Sequence, residues 1–147
     1  MSDSHPIDIL LVEDNLHDAE LTIRVFKKNY LTDNIVHVED GVEALDFIFA
    51  QGMYVDRNME EMPKVILLDI KLPRINGLEV LSAIKANERT RLIPVVVVTS
   101  SDENPDIAKA YQLGANSYVI KPVQSDTFSD VMARLGMYWL RSNYTVE

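Results

Sequence analysis

Five side chains in this 147-residue sequence directly follow apolar runs, and together they could handle a phosphoryl group. Glu13 and Asp14 come after Ile9-Leu10-Leu11-Val12, and Asp69 comes after Val65-Ile66-Leu67-Leu68. Thr99 follows Val95-Val96-Val97-Val98, and Lys121 follows Tyr118-Val119-Ile120. Three carboxylates at close quarters repel one another unless a cation sits among them. Hard oxygens with room left for water and a phosphate oxygen describe a Mg²⁺ site better than a closed Ca²⁺ cage. An aspartate can be a phosphoryl nucleophile, giving an acyl phosphate. Phosphoryl transfer needs mostly positioning and charge neutralisation. The Lys121 ammonium and a cation would neutralise the oxygens, and the Thr99 hydroxyl would donate to one of them. Taken singly, each residue reads better as a solvated strand end, or at Asp14 and Asn15 as a helix cap. The chemistry is carried by the set.

Such a set requires several strands to end along one edge. Besides the four runs above there is a fifth, Ile35-Val36-His37-Val38. Most are continuous rather than alternating, as strands buried on both faces of a parallel sheet must be. Helical spacing separates them: Leu16, Ala19, Ile23 and Phe26; Val42, Leu45, Ile48 and Phe49; Leu78, Leu81 and Ile84. Two more stripes follow, Ile107, Ala110 and Tyr111, then Phe128, Val131, Met132, Leu135 and Trp139. Gly114 is placed to end the fourth helix and Ser125 to cap the fifth. Strand–helix repeated five times predicts a doubly wound α/β sandwich. In such sheets functional groups gather beyond the carboxyl ends of the strands, where these five residues fall. The stretch Gln51 to Pro63 reads as a long exposed loop.

Composition sets outer bounds. Hydrophobic residues are 47% and charged residues 25%, an ordinary globular balance, and the length suits one domain. A formal net charge of −9 argues against a sequence-independent grip on nucleic acid. The absence of cysteine excludes disulfides, thiolate nucleophiles and Cys-based metal sites. The first residues lack an apolar signal segment, and Ile93 to Val98 is far too short to span a bilayer. The expectation is a soluble cytoplasmic protein with no membrane partner.

Further marks complete the pattern: Val12-Glu13-Asp14, Asp40-Gly41 with Ala44-Leu45, and Leu68-Asp69-Ile70-Lys71-Leu72-Pro73 with Gly77. Ile93-Pro94, Val98-Thr99-Ser100, Gly114-Ala115 and Lys121-Pro122 follow in order. In this order and spacing the chain resembles the bacterial response-regulator receiver domains, related to the chemotaxis regulator, from about Ile7 to Leu135. The resemblance implies a (βα)5 three-layer sandwich on a flavodoxin-like five-stranded parallel sheet, one domain over 1–147 with an extended C-terminal helix and tail. It implies Asp69 as phosphoacceptor, with Glu13, Asp14, Asp69 and the backbone carbonyl of Lys71 around Mg²⁺. Thr99 and Tyr118 take the places of a switch pair, and Lys121 that of the phosphate-binding lysine. The Lys121-Pro122 bond stands where the family has a cis peptide, although trans is the default for any such bond. Asn76 stands where an aspartate is common. The loop before Pro63, the Ile93-to-Ser101 run and Tyr138-Trp139-Leu140 look like the stand-alone regulators paired with phytochrome histidine kinases. The implied function is acceptance of a phosphoryl group from a histidine kinase and signalling by a protein–protein contact. The chain would be no enzyme beyond catalysing its own phosphorylation and dephosphorylation.

Competing readings differ at named residues. A haloacid-dehalogenase-type phosphatase carries D-x-D after its first strand, where this chain has Glu13-Asp14-Asn15. A flavin or dinucleotide carrier needs a Gly- or hydroxyl-rich loop there, and Glu13 to Asp18 would repel a phosphate. A receiver-fold scaffold that works without phosphorylation stays open, although every active position holds a competent residue. His17 reads as a surface residue, His37 as a polar member of an outer strand, and Tyr118 by itself as sheet core. A helix from Ser125 to about Arg141 would be ~25 Å long. A strand spans only ~17–20 Å, so its last turn should overhang and expose Tyr138, Trp139, Leu140 and later Tyr144. That overhang predicts a homodimer interface, unless Trp139 folds back on the core or Gly136 breaks the helix.

Overall fold

A computed structural model describes residues 7–145. The apolar runs form β1 (Ile9–Val12), β2 (Ile35–Val38), β3 (Val65–Leu68), β4 (Val95–Thr99) and β5 (Ser117–Ile120). Between and after them lie α1 (Leu16–Lys28), α2 (Gly41–Ile48), α3 (Gly77–Ala86), α4 (Asn104–Gln112) and α5 (Ser125–Met137). The strands make one sheet in the order β2-β1-β3-β4-β5, every neighbouring pair parallel. This is the doubly wound three-layer sandwich expected.

The continuous apolar runs have a simple cause. Side chains alternate across a strand, and both faces of this sheet are covered. Leu10, Val12, Ile66, Leu68, Val95 and Val97 pack on α2, α3 and α4. Ile9, Leu11, Val65, Leu67, Val96 and Val98 pack on α1 and α5. The central strands β1, β3 and β4 are buried throughout, whereas the edge strands β2 and β5 are half-buried. His37 accordingly sits on the β2 edge, as its polarity suggested.

Local chemistry sets the ends. Asn15, Asp40 and Asn76 cap α1, α2 and α3, each side chain accepting from the backbone N–H three residues on. Gly114, at φ 108°, follows α4 in the left-handed region that glycine tolerates best. Ser125 is not the cap of α5: Gln124 holds that position without a side-chain bond, and Ser125 is the first helical residue. The Gln51–Pro63 stretch is mostly exposed but is not featureless. It contains a 3₁₀ turn at Gly52–Tyr54. Arg57 stacks over the Phe47 ring at 4.1 Å and donates to the Phe47 and Glu61 carbonyls, both at 2.8 Å, which pins the loop to the end of α2.

The C-terminal overhang is corrected. Gly136 does not break α5; it is buried, and a Cβ there would lie 2.7 Å from Leu31 Cδ1 and 2.8 Å from Phe26 Cε1. After Met137 the chain makes one π turn, Tyr138–Ser142, closed by Asn143 N–H donating to Tyr138 O at 2.7 Å. An i→i+5 bond makes the turn wider than an α-helical one, which delays the phase of the residues in it, and Leu140 faces inward as Leu135 does. Leu140 is only 6% exposed within the α1/α5 core, with Trp139 packed partly against it. Lys64 Nζ donates to the Leu140 carbonyl at 3.3 Å and Arg141 to the Tyr30 carbonyl at 2.7 Å, fastening the turn. Of the expected overhang, Tyr138 and Tyr144 are exposed.

Candidate functional site

The site grows out of the sheet ladder. Glu13 N–H donates to Val38 O at 3.0 Å, Asp69 N–H to Val12 O at 3.1 Å, and Lys121 N–H to Thr99 O at 2.7 Å. The residue after each strand is therefore still held in sheet register, and its side chain emerges from a fixed point on one edge. Glu13, Asp69 and Thr99 are buried, and Asp14 is exposed.

Glu13, Asp14 and Asp69 each present a carboxylate oxygen, and the three lie within 4.8 Å of one another. Lys121 Nζ reaches Glu13 Oε1 at 2.7 Å, Asp69 Oδ2 at 3.0 Å and, unforeseen from sequence, Asp18 Oδ2 at 2.9 Å. Three carboxylates thus contact one ammonium, and Asp14 adds a fourth acid beside them. That deficit of positive charge, with hard oxygens alone, suits a divalent cation. The other Asp69 oxygen, Oδ1, accepts from Lys71 N–H at 3.2 Å. Glu13 Oε2 accepts from Asn15 N–H at 3.1 Å, and the Glu13 carbonyl accepts from His37 Nε2 at 2.7 Å.

Burial and the neighbouring Asp69 charge push the Glu13 carboxyl up to about 7 from an ordinary 4.5. A 2.7 Å contact with an ammonium normally lowers a carboxyl. Here the pull of Lys121 is outweighed, because Glu13 has little water around it and a second carboxylate beside it. For Lys121, burial alone would lower the pKa. Its bonds to Glu13 and Asp18 and the charges of Asp69 and Glu13 reverse that and raise it above the ordinary lysine value.

Two features behind the site position it. Gly77 opens α3 with its N–H donating to Ile70 O at 2.7 Å, and a Cβ there would fall 2.0 Å from Asp69 O. Only a glycine lets the helix start this close to the Asp69 backbone. Along β4–β5, the Thr99 hydroxyl accepts from Ser101 N–H at 3.4 Å, and Tyr118 donates its hydroxyl to Ser101 O at 2.9 Å. Ser101 in turn donates to Asp106 Oδ2 at 2.5 Å. Tyr118 is half-buried, and no hydrogen bond joins the Thr99 hydroxyl to Asp69 among the described residues. His17 is exposed on α1 and is not among the three acids that cluster, Glu13, Asp14 and Asp69. No cis peptide bond occurs among the described residues, so Lys121-Pro122 is trans.

A doubly wound sheet carrying an acidic trio, a hydroxyl and a lysine on one carboxyl edge is the arrangement of a receiver domain. The chain belongs to that family: residues 9–133 match the response regulator receiver domain. Within the family it stands close to phytochrome response regulators. It is 35% identical to the response regulator Rcp1 of Synechocystis sp., over 93% of this chain and 91% of that protein. The Mn²⁺-bound form of Rcp1 superposes with a TM-score of 0.90 at 33% identity, covering 97% of this chain and 100% of that one. The phosphorylated cyanobacterial phytochrome response regulator RcpA does so with a TM-score of 0.90 at 31% identity, covering 97% and 99%. The chain is also 40% identical to the "Probable methanogenesis regulatory protein FilR2" of Methanothrix harundinacea, over 94% of this chain and 86% of that protein. No described helix is long and apolar enough to cross a membrane.

Proposed function

We propose that Asp69 accepts a phosphoryl group from the phosphohistidine of a sensor histidine kinase, and that the modified protein signals by a changed protein–protein contact. The observation that carries this is the Asp69 carboxylate, buried at the end of β3 with Glu13 and Asp14 oxygens within 4.8 Å and Lys121 Nζ at 3.0 Å. In the transfer, an Asp69 oxygen forms a bond to phosphorus as the N–P bond breaks and the imidazole leaves. Glu13, Asp14, Asp69 and the Lys71 carbonyl would hold Mg²⁺, which supplies charge neutralisation on the phosphoryl oxygens. Lys121 adds its ammonium to the same task. Thr99 turns its hydroxyl toward the phosphoryl group, and the Tyr118 ring follows into the space released, a two-position element of the kind a switch requires. The chain catalyses only its own phosphorylation and dephosphorylation.

The partner kinase in this reading is a bacterial phytochrome, supported by the likeness to Rcp1 and RcpA along almost the whole chain. A different sensor kinase is the second reading, favoured by the higher identity to FilR2, 40% against 35%. The single receiver domain works in the cytoplasm, and two copies associate through Tyr138 and Trp139, backed from inside by Leu140. Phosphotransfer profiling against purified histidine kinases identifies the donor. Asp69→Asn should abolish a base-labile acyl phosphate; labelling of that variant at the wild-type rate overturns the assignment.

A further inference from the structure

We infer that Asp18 is a positioning residue for Lys121, holding its ammonium beside the site while a divalent cation claims Glu13 and Asp69. This rests on the reading of Glu13, Asp14 and Asp69 as the cation site.

An ammonium has three N–H donors. Those of Lys121 are matched by one oxygen each from Glu13, Asp18 and Asp69, at 2.7, 2.9 and 3.0 Å. Two of these partners belong to the acidic trio; Asp18 does not. Glu13 and Asp69 would give those oxygens to a bound cation, whose charge would disfavour the ammonium beside them. Lys121 has a side chain only 9% exposed, and a buried charge stripped of its partners is costly. Asp18 can keep its contact in both states. Its backbone is well fixed for that purpose, with the N–H donating to Asn15 Oδ1 at 3.0 Å and the carbonyl accepting from Thr22 Oγ1 at 2.9 Å. Asn15 already caps α1, so the helix start does not call on the Asp18 carboxylate.

The test is a double-mutant cycle on Mg²⁺ affinity in the unphosphorylated protein, measured by calorimetry on wild type, Asp18→Ala, Lys121→Ala and the double variant. Asp18→Ala should weaken Mg²⁺ by about fivefold, the scale of coupling between groups in contact, because Lys121 then has no partner but the cation's own ligands. In the Lys121→Ala background the same change should cost less than about twofold. If Asp18 acted only as a nearby negative charge, its loss would cost as much or more once Lys121 no longer neutralises it. That outcome overturns the inference. Asp18→Asn, which keeps one acceptor oxygen at the same size, should fall between wild type and Asp18→Ala, and it carries the test if the alanine variant unfolds. An independent readout is the Lys121 ammonium resonance. It should persist on Mg²⁺ addition in wild type and be lost to solvent exchange in Asp18→Ala; equal behaviour in both counts against the role. A wild type that binds no Mg²⁺ overturns the cation reading itself, whereas a wild type that binds with an additive cycle overturns the Asp18 role alone.

Discussion

Cation binding at this site should release a proton near neutrality, because the Glu13 carboxyl is pushed up to about 7. A metal ligand must be deprotonated to bind, so metal and proton compete for Glu13. At pH 6 a group of that pKa is roughly one-tenth ionised, and at pH 8 roughly nine-tenths. Mg²⁺ affinity should therefore rise about tenfold between those values, about 1.4 kcal/mol, and level off above pH 8. Calorimetry at pH 7 in two buffers of different ionisation enthalpy should show about half a proton released per Mg²⁺. Without the cation the sign reverses for folding. The folded state holds its Glu13 proton to higher pH than the unfolded chain, so stability falls as pH climbs from about 4.5 to about 7. A shift from 4.5 to about 7 bounds that loss at about 3 kcal/mol, and saturating Mg²⁺ should recover it. Glu13→Gln should flatten the pH profile of both binding and stability. A wild-type Mg²⁺ affinity that is constant from pH 6 to 8 refutes the reasoning.

Four further outcomes are expected. Thr99→Ala should accept phosphate, yet shift the NMR signals of α4, β5 and α5 less than wild type does on phosphorylation; equal shifts would count against a Thr99–Tyr118 switch. Gly77→Ala should cost on the order of 2 kcal/mol or more in denaturant unfolding and slow labelling of Asp69, because its Cβ meets the Asp69 carbonyl at 2.0 Å. At the C terminus, Leu140→Ala should destabilise the fold by about 2–5 kcal/mol as a core truncation. Tyr138→Ala, on an exposed ring, should leave stability nearly unchanged and shift any dimer toward monomer in sedimentation.

The sequence by itself determined the elements and which residues stand along the carboxyl edge of the sheet. Five apolar runs separated by helical stripes can bury both faces of a strand only in a covered parallel sheet, so architecture followed from periodicity. Glu13, Asp14, Asp69, Thr99 and Lys121 were legible because they are the residues after the runs, where a parallel sheet must present them. Tertiary structure decided what periodicity cannot express. Asp18 and Lys121 are 103 positions apart, and only the docking of α1 beside β5's exit brings them to 2.9 Å. His37 looked like a lone polar residue until the β1–β2 register placed its ring on the Glu13 carbonyl. Gly77 was legible as a family mark, but the reason for it, backbone against backbone behind Asp69, belongs to the packing of α3. Leu140 was misplaced for the same cause. An α-helical phase leaves Leu140 on the overhang, and the π turn that carries it inward is held by Lys64 and Arg141 reaching carbonyls on the turn and on the loop after α1. Local spacing encodes which face a residue takes within its own element; contacts between elements depend on register, twist and docking, which no single stretch of chain contains.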